Sequence, residues 1–154
     1  MGNEIYELVT ESDVMNFQFT SIGPKGHIPK LVMYSKTPTK GIYNLGFGDR
    51  DPLTGKIDDT VVTDNKDSQK VLATVASTVY QFVKKYPRAW IGAVGSTKAR
   101  TRLYQMGISN NLEAITTDFV VLGNKNGEWE LFEKNVNYDA FLITHKKNVR
   151  WKMK

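Results

Sequence analysis

The chain has 154 residues, 40% of them hydrophobic, enough for the core of one compact domain and too few for two comfortable ones. It contains no cysteine, which excludes disulfide staples, thiolate zinc sites and cysteine nucleophiles. The net charge of +5 is unevenly spread, with −3 over residues 1–67, +7 over 68–112, −4 over 113–144 and +5 over 145–154; the body through Thr144 is therefore neutral, and the high overall charge does not imply a generally basic surface.

In chain order, Met1-Gly2-Asn3-Glu4-Ile5-Tyr6 lacks the basic and apolar regions of a secretory signal, and no stretch is apolar for long enough to span a bilayer. The expectation is a soluble, cytoplasmic protein with no membrane partner. Tyr6, Leu8, Phe17 and Phe19 alternate with polar residues, Gly23-Pro24-Lys25-Gly26 turns the chain, and Ile28 to Tyr34 resumes the pattern, which predicts a hairpin. Further strands are expected at Ile42 to Phe47 and, after the turn Asp51-Pro52-Leu53-Thr54-Gly55, at Ile57 to Thr63.

The period changes at Asp67, read as an N-cap, because Val71, Leu72, Val75, Val79, Phe82 and Val83 recur at helical spacing until Pro87. Trp90 to Val94 reads as a short strand. A second helical segment is expected from Ser96, with Leu103, Met106, Leu112 and Ile115 inward and a break at Gly107 or at Asn110-Asn111. Phe119 to Leu122 and Trp129 to Phe132 flank the turn Asn124-Lys125-Asn126-Gly127 as a hairpin, and Tyr138 to Thr144 supplies a last strand. Strands with segregated helices predict an α+β fold: a twisted, mainly antiparallel sheet with two helical segments packed chiefly on one face. One domain is drawn over residues 3–144, followed by a basic, mobile tail over 145–154, where only Val149, Trp151 and Met153 are apolar.

The chemistry-bearing candidate is Gly95-Ser96-Thr97-Lys98-Ala99-Arg100-Thr101-Arg102-Leu103-Tyr104, inside a run of 45 residues without an acidic side chain. A helix start offers free N–H groups and about half a positive charge, so Ser96, Thr97, Lys98, Arg100 and Arg102 form an expected phosphate or anion site. Positions 98 and 102 share a helix face while 100 points roughly opposite. The alternative is an ordinary capped helix whose arginines pair internally with Glu113, Glu128 or Glu133. The glycine spacing of a P-loop is lacking, so ATP hydrolysis is not implied.

Asp49, Asp51, Asp58 and Asp59 flank a turn but match no cation loop; they read as turn formers, and neither a metal nor a cofactor is expected. His27 lies at a hairpin tip and His145 opens the tail, neither in a triad pattern. The alternating Phe17, Phe19, Tyr34, Tyr43 and Phe47 read as core beneath a helix in preference to a base-stacking platform.

Three segments carry a resemblance: Val71 to Val79, Gly95 through Arg102-Leu103-Tyr104 to Ile108, and Tyr43-Asn44-Leu45 with Phe47-Gly48-Asp49. Together they resemble a small bacterial domain family of unknown function, spanning residues 3–144. The resemblance implies a single domain and supplies no activity or catalytic residue. Three functions follow as expectations. The first is a phosphate-recognising or nucleic-acid-binding module using the helix start at 95–104. The second is a phosphoester-acting enzyme such as a nuclease, with Tyr104, Asp49 or Asp51 assisting the arginines. The third is a protein-interaction or self-associating module in which oppositely charged segments meet a partner or another copy.

Overall fold

The computed structural model describes residues 4–58, 63–95 and 97–149. Eight strands form one sheet: β1 (Val9–Thr10), β2 (Asn16–Gly23), β3 (Gly26–Lys36), β4 (Ile42–Asp49), β5 (Trp90–Ala93), β6 (Phe119–Lys125), β7 (Glu128–Leu131) and β8 (Ala140–His145). Their order across the sheet is β1-β2-β3-β4-β5-β8-β6-β7. The fold is mixed α and β with a mostly antiparallel sheet; β4 and β5 pair in parallel, through Ile42 to Asn44 against Trp90 to Gly92. Among the described residues three α-helices accompany it, α1 (Ser68–Lys85), α2 (Lys98–Asn110) and α3 (Leu112–Asp118). Among the described residues no helix is long and apolar enough to cross a membrane.

Register explains the core. Phe17, Val32 and Phe47 lie opposite one another across β2, β3 and β4, as do Ile91, Ile143 and Val121 across β5, β8 and β6, so each set shares a sheet face. Helix α1 meets that face where Phe82 stacks on Tyr34 with ring centroids 4.1 Å apart, and where Thr78 shares a 2.8 Å hydrogen bond with the Tyr34 hydroxyl. Phe17, Phe19, Tyr34 and Phe47 are buried and Tyr43 half-buried, as core residues are. The helix stops at Tyr86 because Pro87 disfavours helical geometry in the residue before it.

Several boundaries differ from the sequence expectation, each for a tertiary reason. Tyr6 is not in a ladder: its N–H donates to Thr74 Oγ1 of α1, and strand pairing starts only at Val9. Asp67 stands at the expected N-cap position of α1, yet its side chain makes no capping bond; it accepts from the hydroxyls of Tyr6 and Ser21, each at 2.5 Å. Of the strand expected over Ile57 to Thr63, Ile57 makes an isolated bridge to Arg50 and residues 59–62, Asp59 included, lie outside the described residues. Of the two positions expected for the break in the second helical segment, Asn110-Asn111 is the one used, at Asn111; its side chain donates to Gly107 O at 2.8 Å and its N–H to Ile108 O. The tail boundary also shifts. His145 ends β8, residues Lys146–Asn148 form a 3-10 turn, Asn148 Nδ2 bonds Pro87 O and Thr144 Oγ1, and Val149 is buried. Residues 1–3 and 150–154, which hold the expected domain start at Asn3 and the rest of the expected tail, lie outside the described residues.

Candidate functional site

Helix α2 begins where the sequence places it. Thr97 has an extended backbone, and its Oγ1 accepts from Arg100 N at 3.2 Å, the geometry of an N-cap. Ser96 lies outside the described residues. Lys98 and Arg102 are exposed and four residues apart, so they share one face of α2. Arg100 points the other way and is only 6% exposed. The two arginines grouped by the sequence are thus separated by helix geometry.

What Arg100 meets is the strand β4. Since β5 pairs with β4 only as far as Asn44, the later residues of β4 have no neighbouring strand on that side among the described residues. Side chains of α2 take its place. Arg100 Nη1 donates to Phe47 O at 2.8 Å, Nη2 donates to Asp58 O, and Phe47 N–H donates to Tyr104 Oη at 3.1 Å. One residue thereby has both its outward backbone groups satisfied by side chains one helical turn apart, in place of a ladder. Asp58 N–H continues the edge by donating to Asp49 O at 2.8 Å. Gly48 is required at this crossing: a Cβ there would stand 2.7 Å from Arg100 Nη1 and 2.8 Å from Ile57 Cγ2. Two of the segments that carry the family resemblance, around residues 43–49 and 95–108, therefore meet in space. Burial raises the Tyr104 phenol above its usual range, while the bond from Phe47 and the nearby Arg100 charge oppose that shift.

The carboxylates are likewise occupied. Asp49 Oδ1 is 2.5 Å from Lys30 Nζ, which is itself 1% exposed, and the carboxylate also accepts from Thr63 N. Lys30 Nζ donates in addition to Thr63 O. This buried pair ties the segment at Thr63 down onto the sheet. Asp51 is a turn former: its Oδ1 accepts from Leu53 N at 2.8 Å and its carbonyl from Gly55 N. Among the described residues no group of three His, Asp or Glu is placed to hold a metal. His27 is exposed, and His145 Nδ1 accepts from Lys147 N. An apolar cavity of about 60 Å³ lies among Leu72, Val79, Tyr104, Ile108 and Ile115, well below the roughly 150 Å³ that lodges a benzene-sized guest.

The opposite end of the sheet is built differently. Asn126 and Gly127 both adopt positive φ, 54° and 84°, which a tight two-residue hairpin between β6 and β7 requires. All four residues of β7, Glu128-Trp129-Glu130-Leu131, are exposed, and among the described residues β7 has no neighbouring strand beyond it. In such a hairpin Glu128 and Glu130 exchange bonds with Lys125 and Gly123, leaving the Trp129 N–H and C=O on the outer edge. Trp129 and Leu131, 45% and 48% exposed, point to one face of the sheet, and Glu128 and Glu130 to the other. Glu130 accepts from Tyr138 Oη at 2.9 Å, and that phenol is raised by desolvation and by the glutamate. The sequence reading missed this edge as a site. Its signal was the acidic–aromatic–acidic–apolar alternation, which local pattern cannot distinguish from an internal strand.

A family model described as a family of unknown function, DUF6934, matches residues 2–146, and the chain belongs to that family. Neither a search of curated proteins nor one of solved structures returns a match.

Proposed function

We propose that this member of the family is a protein-interaction module whose working surface is the free edge of β7, and that it accepts an extended segment as an added strand. The observation that carries the reading is the exposed four-residue strand whose outward backbone groups at Trp129 meet no partner among the described residues, with an apolar pair beside it. Proteins ordinarily blunt such edges, and the other end of this sheet follows that rule, with β1 only two residues long. Added strands gain affinity from main-chain bonds and specificity from alternate side chains. The acidic face at Glu128 and Glu130 selects basic residues on one side of the incoming segment, and Trp129 with Leu131 selects apolar residues on the other.

The test is a titration of dilute protein with a short peptide alternating lysine and valine, against a block-ordered peptide of the same composition. The alternating peptide is expected to bind weakly, with chemical shift changes at the Trp129 amide and indole. Equal binding of both peptides, or shifts confined to other strands, would sink the reading.

A second reading rests on Lys98 and Arg102, which are exposed on one face of α2 with no ion pair among the described residues. With Thr97 and Ser96 at the helix start they form a candidate contact for phosphate or a nucleic-acid backbone. Arg100 leaves that group, being buried against β4. The phosphoester-enzyme reading loses support because Tyr104 and Asp49 are enclosed and bonded within the fold.

A further inference from the structure

The alternation of β7 has a counterpart in the chain itself. Arg150-Trp151-Lys152-Met153-Lys154 places basic residues at even positions and apolar ones at odd positions. On β7 the even positions are Glu128 and Glu130, and the odd ones Trp129 and Leu131. We propose that residues 150–154 of one copy add as a strand to the free edge of β7 in a second copy, which rests on the interaction reading above and names its partner. In an antiparallel pairing the match is Leu131 with Trp151, Glu130 with Lys152, Trp129 with Met153 and Glu128 with Lys154. Any register that sets apolar on apolar also sets Lys or Arg against Glu, because directly opposed residues share a sheet face. Cross-strand pairs of both kinds are favourable, whereas pairing β7 with β7 of another copy would crowd glutamates together.

The donor is a second copy because of where residue 149 lies. Asn148 is bonded to Pro87 O and Thr144 Oγ1, which holds the chain on the β5 side of β8. From β8 to a strand added beyond β7 are three inter-strand spacings, about 14 Å. Trp151 is two residues from Val149 and reaches at most about 7 Å, and Met153 about 14 Å, so residues 150–154 cannot run alongside all four residues of that edge. The segment therefore cannot satisfy the β7 edge of its own chain, while an exchange between two copies can be reciprocal and closed.

The experiment uses full-length chains and sedimentation velocity over about two decades of concentration. The unaltered chain is expected to dimerise with rising concentration. A tail variant, Arg150→Glu with Lys152→Glu, and an edge variant, Glu128→Lys with Glu130→Lys, are each expected to weaken dimerisation about tenfold or more. Mixed together, the two variants present complementary charges and should form a heterodimer. An unaltered chain that stays monomeric throughout, a tail variant that dimerises like the unaltered chain, or mixed variants that fail to associate would each overturn the proposal. Circular dichroism of each variant shows that it is folded, since every substituted edge residue is exposed. A monomeric chain that still binds the alternating peptide at Trp129 would end the exchange proposal while leaving the interaction reading intact; loss of both would end both.

Discussion

Two stretches of strand edge in this fold, one along β4 and one along β7, are treated oppositely. Along β4 beyond Asn44 the missing neighbour is replaced by Arg100 and Tyr104 from α2 and by the backbone at Asp58, so the edge is closed and buried. Along β7 the Tyr138 hydroxyl reaches Leu131 O, but among the described residues no group takes the neighbour's place at the Trp129 backbone, and Trp129 and Leu131 stand nearly half exposed. The difference teaches that a basic residue near a helix start is not by itself available to a ligand. Backbone groups that lose water must find partners, and a guanidinium one turn from a phenol is well shaped to supply them.

The sharpest way to break the closed region is through its buried ion pair. Asp49→Ala should cost about 3–5 kcal/mol, because it strands the Lys30 ammonium where water cannot reach it. Chemical denaturation would measure this, and a loss under about 1 kcal/mol would mean that Lys30 finds solvent. Next comes a contrast within one helix. Arg100→Ala should lower stability by about 2–4 kcal/mol through loss of charged donors to buried carbonyls, whereas Arg102→Ala should leave it within about 0.5 kcal/mol. Equal effects would erase the distinction between the closed junction and the open helix face. Smallest is Tyr104→Phe, expected to cost about 1–2 kcal/mol by leaving the Phe47 N–H without its acceptor. Exchange of the Phe47 amide hydrogen should accelerate in the same variant, and an unchanged rate would show that another group takes over.

Much of the architecture was legible in the chain. The apolar spacing from Val71 to Val83 specified α1, because a helix buries a stripe recurring every three to four residues. A helix start at Ser96 or Thr97 was legible, and the turn at Asn126-Gly127 announced its hairpin. The burial of Arg100 was legible only in part. Its opposition to Lys98 and Arg102 followed from helix geometry, but whether that opposite face met solvent or a strand depended on where β5 stopped, at Ala93, 49 residues from Asn44 in the sequence.

Local pattern by itself therefore determined the helices, most strands and the charge asymmetry, since each reflects short-range periodicity and turn chemistry. Only the tertiary structure decided that β7 would be an edge and β4 would need side chains in place of a neighbour. Strand order is set by long-range pairing, and identical alternation describes a strand in the middle of a sheet and one at its margin. The same cause carries packing past Thr144 to Val149, because Asn148 finds its partners at Pro87 and Thr144 rather than among its sequence neighbours alone.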